Sequence, residues 1–311
     1  MKFGATLWPQ NTPWPAFRDA AKLVDDVGFE TVWAWDHFYA LAGAEERPNL
    51  ESTTILAAIG PLTKRVKIGA LVQGVTYRHP AVIANMAATH DHATDGRAIC
   101  GIGAAWNQTE HRAYGIDLGT PAERSRRFTE AARIIRGLLD GQRVTYSGKY
   151  FELKNAVLNT RPVQKRLPIM IGGSGEKKTL RTVAKYADQW NAMGAVDMLA
   201  HKVEVLRGHC DAVGRDIAEI EMTAGCKPII RSRAEDADAL WRAQMAANKT
   251  PMDDVLDDDT FWVGTPELIA QRMSERKALG FHTFLAEMAA PYDDETLDRW
   301  INEVIPMVDG S

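Results

Sequence analysis

Short apolar runs alternate with amphipathic helical patterns along most of the chain. A continuous apolar run is typical of a strand that helices bury on both faces of a parallel sheet. The runs predict eight such strands, at residues 3–8, 31–35, 66–72, 97–103, 168–171, 188–191, 220–226 and 281–287. Eight strands that alternate with helices over this length predict an α/β fold, the TIM (β/α)8 barrel.

Two segments interrupt this alternation. Residues 142–164 hold two short β-like stretches, RVTY and KYFEL, separated by Ser147 and Gly148, which predicts an inserted hairpin. Residues 250–260 are acidic and predict a loop insertion. The chain has no internal repeat, low-complexity tract or linker, so residues 1–311 are predicted to form one barrel domain.

Composition narrows the classes of partner. The net charge of −4 does not favour nucleic acid or a membrane surface. No apolar run approaches the ~18 residues of a membrane-spanning helix, and the stretch MKFGATLWPQ lacks a signal-peptide pattern. Three widely spaced cysteines, Cys100, Cys210 and Cys226, predict reduced thiols in a cytoplasmic protein. We therefore expect a small-molecule substrate, and the sequence leaves a homodimer open.

Polar and aromatic residues gather where the predicted strands end. In a TIM barrel the carboxyl ends of the strands carry the functional groups. The residues at these ends are Trp8, Asp36, His37, Gly74, Val75, Thr76, Trp106, Asn107, Ser174, Gly175, Trp190, Asn191 and Glu287. Such a set suits a large planar ligand with polar edges.

Asp36 and His37 follow the hydrophobic second strand. An imidazole in this place can give or take a proton near neutral pH, which makes His37 a candidate acid–base residue. The structural alternative is that His37 hydrogen-bonds a loop and that Asp36 caps it.

A glycine-rich stretch, residues 172–175, joins the fifth strand to a helix. Free backbone N–H groups at a helix N-terminus, together with the Ser174 hydroxyl, can bind an anion. Lys177 and Lys178 would oppose the helix dipole unless an anion lies nearby, which favours a phosphate site. The alternative is a flexible loop with solvated lysines.

Three further patterns carry weaker implications. The stretch GIGAAW lacks the last glycine of a dinucleotide fingerprint, which argues against Rossmann-type binding. His90 and His92 point apart at helical spacing, so we predict no metal site. Glu51, Glu110 and Glu287 leave a glycosidase-type carboxylate pair open, although Glu110 is more simply explained as the start of the helix after the fourth strand.

Several of these stretches together resemble the luciferase-like monooxygenase superfamily, in the branch that uses the deazaflavin coenzyme F420. They are VKIGALVQGVTYRHP, GIGAAWNQTEHRAYGI, ADQWN and PYDDETLDRWINEVIP. The resemblance implies a non-proline cis peptide bond at Gly74-Val75 that backs the coenzyme ring. It also implies that His37, supported by its neighbour Asp36, acts on the substrate. Trp106 would pack on the ring or form part of the pocket wall.

On this resemblance we expect a cytoplasmic oxidoreductase that transfers a hydride between coenzyme F420 and a small organic substrate. His37 and Asp36 are the candidate catalytic residues. The candidate cofactor-binding residues are Gly74, Val75, Thr76, Trp106, Asn107, Gly173, Ser174 and Gly175, the last three at the coenzyme phosphate. The alternatives are an FMN-dependent monooxygenase of the same superfamily, a cofactor-free glycoside hydrolase barrel, and a catalytically silent flavin-binding carrier or sensor.

Overall fold

The structure, a computed structural model, describes residues 1–41, 46–256 and 258–310. Its strands are β1 (Lys2–Leu7), β2 (Thr31–Ala34), β3 (Lys67–Ala70), β4 (Gln73–Gly74), β5 (Ala98–Gly103), β6 (Val144–Ser147), β7 (Glu152–Ala156), β8 (Ile169–Gly172), β9 (Gln189–Ala192), β10 (Glu221–Ile230), β11 (Phe261–Gly264) and β12 (Thr283–Met288). Eight of them pair in parallel, in the order β1, β2, β3, β5, β8, β9, β10 and β12. β12 pairs with both β10 and β1, so the sheet closes on itself and the predicted TIM-like barrel is confirmed.

Helices cover the outside of the barrel. They are α1 (Trp14–Val27), α2 (Ser52–Ile59), α3 (Pro80–Ala93), α4 (Gln108–Ala113), α5 (Pro121–Leu139), α6 (Thr179–Tyr186), α7 (Val196–Val213), α8 (Ala234–Asn248), α9 (Pro266–Lys277), α10 (Asp294–Arg299) and α11 (Ile305–Asp309). Local chemistry sets their ends. Thr120 and Glu123 form a capping box at the start of α5, and Gly28 ends α1 with a φ of 106°. None of the described helices is long and apolar enough to cross a lipid bilayer.

One end of the barrel is closed by a layer of polar side chains centred on Glu221. Glu221 accepts hydrogen bonds from Lys2 (3.1 Å), Gln189 (3.0 Å) and Thr283 (2.6 Å). Above this layer, Trp33, Ile99, Met170 and Leu285 pack in the interior. The barrel is therefore filled from this end up to the carboxyl ends of its strands, where the space opens.

Two features around the barrel differ from the predicted boundaries. The seventh barrel strand runs on to Ile230 and pairs with β11, a strand that the sequence did not predict. β11 is a four-residue apolar stretch directly behind the acidic segment 250–260, and its length alone gives a weak strand pattern. In the other predicted insertion, β6 and β7 form an antiparallel hairpin.

The prediction of a cis peptide bond at Gly74-Val75 was wrong. The non-proline cis bond joins Leu71 to Val72, directly after β3 ends. Gly74 instead belongs to β4, where it pairs with Gly103 and donates its N–H to Asp36 Oδ2 (3.1 Å). The chain thus leaves the sheet at Leu71 and has returned to it by Gly74.

Candidate active site

A cavity of about 390 Å³ opens at the carboxyl ends of the strands. Residues from six barrel strands or the loops after them line it. They are Asp36, His37, Leu71, Val72, Gly74, Tyr77, Gly103, Ala104, Ala105, Trp106, Gly172, Gly173, Ser174, Gly175, Thr179, Asn191, Met193 and Glu287. This is the end of a TIM barrel at which active sites lie.

Glycines make room for Val72 in the wall of this cavity. A Cβ atom on Gly103 would lie 2.5 Å from Val72 Cγ2, and one on Gly172 would lie 3.1 Å from the same side chain. A Cβ atom on Gly101 would lie 1.8 Å from the carbonyl oxygen of Ala70. Any side chain at these strand ends would push the Leu71–Val72 segment away from the sheet. The result is a smooth apolar wall without projecting polar groups.

His37 lies in the cavity wall with one ring nitrogen held from behind. Its Nδ1 is 2.6 Å from Oε1 of Glu110, whose side chain is fully buried. Glu110 belongs to α4, the short helix after the fourth barrel strand. A carboxylate can only accept a hydrogen bond, so Nδ1 carries the proton, and Nε2 is the nitrogen that remains for a ligand.

Glu110 accepts more than the bond from His37. The Tyr77 hydroxyl donates to the same oxygen, and the backbone N–H of Phe38 donates to Oε2 at 2.7 Å. Burial opposes the charge on Glu110, but the bonds from His37, Tyr77 and Phe38 outweigh it and lower the pKa of this carboxyl. Glu110 is therefore an anion at neutral pH and fixes the ring of His37. The sequence pattern indicates a helix start at Glu110 and gives no sign of its contact with His37.

Asp36 does not support His37, and that expectation was wrong. Its carboxylate accepts two hydrogen bonds from Arg78 (2.6 and 3.1 Å) and one from the backbone N–H of Gly74. Arg78 also donates to Glu51 (2.6 Å). Asp36 thus ties the end of the second strand to the turn after β4. The reason is direction: successive residues of extended backbone, such as Asp36 and His37, project to opposite sides.

Trp106 stands in the mouth of the cavity and is 60% exposed, so it does not fill the core. Its ring centroid lies 5.3 Å from that of His37, with the two planes at 67°. This edge-to-face contact leaves one face of the indole available to a ligand.

Three other predicted cofactor residues lie outside the cavity lining. Val75 is buried, the hydroxyl of Thr76 is 2.7 Å from Nε2 of His111, and the Asn107 side chain caps α4. Their side chains therefore shape the loops that carry the site.

The loop from Gly173 to Gly175 forms the opposite wall. Trp190 Nε1 donates to the carbonyl oxygen of Gly173 (2.9 Å), and Gly173 has a φ of +120°, a conformation that favours glycine. Among the described residues, no group accepts the backbone N–H of Ser174 or Gly175. These two N–H groups precede α6 and are placed to bind an anion.

A closed parallel barrel with a histidine–carboxylate pair in its open end defines a TIM-barrel enzyme. The sequence model of the luciferase-like monooxygenase family matches residues 1–283, and the chain belongs to that family. It is an oxidoreductase of the kind that depends on a flavin or on F420.

Relatives within the family differ in their chemistry. The chain is 31% identical to the F420-dependent glucose-6-phosphate dehydrogenase of Microbacterium testaceum, over 82% of this chain and 71% of that protein. It is 28% identical to the 4-hydroxyprotoasukamycin monooxygenase of Streptomyces nodosus subsp. asukaensis, over 90% and 76% of the two chains. An F420-dependent secondary alcohol dehydrogenase has a similar fold, with a TM-score of 0.84 at 21% identity over 99% and 98% of the chains.

Proposed function

We propose that this protein is a coenzyme F420-dependent oxidoreductase that transfers a hydride between the deazaflavin and a small organic substrate. The observation that carries the proposal is the pair of His37 and buried Glu110 in the cavity wall, 2.6 Å apart. A proton donor or acceptor in this position suits hydride transfer to or from a carbon that bears oxygen, because the oxygen must gain or lose a proton. The relative at 31% identity that is named as F420-dependent supports the same choice.

The residues present fit such a coenzyme. The glycines of β5 and β8 and the side chain of Val72 form an apolar wall against which a flat ring can lie. The Gly173–Gly175 loop offers two N–H groups and the Ser174 hydroxyl to a phosphate. When bound, the coenzyme would supply the hydride or receive it; the side chains of the cavity supply position and proton transfer.

His37 would act through Nε2. Because Glu110 holds the proton on Nδ1, a neutral His37 presents a lone pair at Nε2 and can accept a substrate proton. A protonated His37 can return that proton in the opposite direction. The Tyr77 hydroxyl, bound to the same carboxylate oxygen, keeps Glu110 in place during either step.

The wall opposite His37 would bind the coenzyme through main-chain groups. Trp190 and Asn191 fix the carbonyl and amide groups of Gly173, and this holds the following N–H groups in position. Trp106 would cover the reacting face and exclude water, since it is the exposed aromatic residue next to His37.

The second candidate function is FMN-dependent monooxygenation, which the 28% identical monooxygenase favours. A flavin forms an oxygen adduct that a deazaflavin does not readily form. The smooth wall at Val72 would accept either ring.

Titration by fluorescence quenching with F420 and with FMN tests the proposal. We expect the protein to bind F420 more tightly. Tighter binding of FMN, together with oxygen uptake that depends on a substrate, would establish the monooxygenase function instead.

A further inference from the structure

The ionisable side chains that line the cavity are acidic, aromatic or imidazole groups. Among the described residues, no lysine or arginine lines it. Residues 42–45, which the structure does not describe, read Ala-Gly-Ala-Glu and bring no cation either. An anionic group on the substrate would therefore lose water without gaining a lysine or arginine as its partner, which is costly.

Two cations that lie close to residues of the cavity wall are already engaged. The guanidinium of Arg78 binds both oxygens of Asp36 and one of Glu51. Lys227, the cation whose charge acts on Glu287, forms an ion pair with Asp258 at 3.0 Å and lies over the ring of Phe261. Neither can turn to a substrate without breaking a bond that it already makes.

Glu287 stands at the floor of the cavity and has no part in the mechanism above. It is the last inward-facing residue of β12, two positions beyond Leu285, which packs on Trp33 in the barrel interior. In the parallel register it lies beside Thr6. It forms no ion pair with any described residue, and burial raises the pKa of its carboxyl. A carboxyl group accepts hydrogen bonds, and in its protonated form it also donates one.

We propose that Glu287 is the polar anchor for the substrate, and that the substrate is an uncharged molecule that carries a hydroxyl or carbonyl group. Phosphorylated and carboxylated substrates are disfavoured, because no lysine or arginine lines the part of the cavity that the structure describes. The backbone N–H groups of the Gly173–Gly175 loop would bind the phosphate of the coenzyme and not the substrate. This inference rests on the proposed function, since it places substrate and coenzyme in one cavity.

The experiment measures binding to the coenzyme-loaded protein by isothermal titration calorimetry, with matched pairs of probes. The pairs are cyclohexanol with cyclohexanecarboxylate, and glucose with glucose 6-phosphate. We expect at least one neutral probe to bind about tenfold more tightly than its anionic partner, because no lysine or arginine in the cavity lining can pair with the anion.

Two variants assign the effect to Glu287. Glu287→Leu should weaken binding of the neutral probe about three- to tenfold, because one hydrogen bond is lost. Glu287→Gln should bind this probe with an affinity within about twofold of the wild type. The affinity for the coenzyme should stay the same in both. Glu235→Gln, an exposed glutamate on α8, is the control.

The inference is overturned if an anionic probe binds as tightly as its neutral partner, if no neutral probe binds, or if Glu287→Leu binds as the wild type does. A loss of coenzyme affinity in Glu287→Leu would also overturn it, because Glu287 would then contact the coenzyme. Failure of the wild-type protein to bind F420 at the outset would instead refute the proposed function.

Discussion

The two walls of the cavity are built in different ways. On the His37 side, formed by His37, Tyr77, Trp106 and Glu110, side chains carry the chemistry, and hydrogen bonds from other elements fix them. On the Gly175 side, formed by Gly173, Ser174 and Gly175, the groups that a ligand can bind are mostly backbone N–H groups. A substitution on the first side should change proton transfer, whereas one on the second should change binding through the shape of the main chain.

The largest effect is expected on the His37 side. His37→Asn keeps the approximate shape and some of the hydrogen bonding but removes the group that would transfer the proton. Hydride transfer should fall about 10²–10⁴-fold, the usual loss for a general acid or base. Coenzyme affinity should stay within a few-fold, because the Gly175 side is intact. Stopped-flow absorbance of the coenzyme measures the rate, with His282→Asn at the sealed end of the barrel as the control.

Near-normal turnover of His37→Asn would make the residue structural. Loss of coenzyme binding in this variant would remove the contrast between the two walls, because His37 would then be a ligand-binding group.

The next effect is expected on the Gly175 side. Gly175→Pro removes one N–H donor and distorts the loop. A hydrogen bond to a charged group contributes about 1.5–3 kcal/mol, so the affinity for F420 should fall about 10- to 10²-fold. A deazaflavin fragment without the phosphate is the control ligand, and its binding should change little. Equal losses for the two ligands in fluorescence titration would indicate general misfolding.

Glu110→Gln tests how the His37 side is held. The amide can still accept from His37, but its NH2 group would face the N–H of Phe38 or the hydroxyl of Tyr77. An unpaired buried donor costs about 1–3 kcal/mol, and urea unfolding at pH 7 should show this loss. The pKa of Glu110 is lowered in the folded protein, so its contribution is present above about pH 4.3 and falls as the pH drops through the folded value.

The difference in stability between the wild type and Glu110→Gln should therefore shrink in acid. A difference that does not change between pH 7 and pH 3 would show that the charge of Glu110 does not stabilise the fold. Glu235→Gln is again the exposed control.

The smallest effect concerns His111, which lies behind Tyr77. Its Nδ1 donates to the carbonyl oxygen of Asn107 and its Nε2 accepts from Thr76, while burial lowers the pKa of the imidazole. Below about pH 6.5 the His111 side chain binds a proton in the unfolded chain but not in the folded one. The free energy of unfolding therefore decreases as the pH is lowered, until the pH reaches the pKa of His111 in the folded protein. Urea unfolding should show a lower stability at pH 5.5 than at pH 7.

His111→Gln should remove this part of the pH dependence. His90, whose pKa is also lowered, adds the same slope to both proteins, so their difference isolates His111. Parallel pH profiles of the two proteins would contradict the assignment.

The barrel and its open end were predictable because their signals are local. Most of the barrel strands are largely apolar runs, and His37 and the Gly173–Gly175 loop closely follow two of them. The role of Glu110 was not predictable in this way, because its contact with His37 joins residues 73 positions apart. The same holds for Asp36, whose partner Arg78 lies 42 positions away. The cis bond joins Leu71 to Val72, and the Val72 side chain lies against Gly103 and Gly172, a neighbourhood that only the closed sheet reveals.

The most direct measurement is a crystal structure of the protein with bound coenzyme F420. The ring should lie between Val72 and the pair of His37 and Trp106, with the coenzyme phosphate at the N–H groups of Ser174 and Gly175. His37 Nε2 should face the reactive carbon of the ring across the space left for the substrate. A coenzyme bound in another groove, or a phosphate held away from Gly173–Gly175, would contradict the assignment of the two walls.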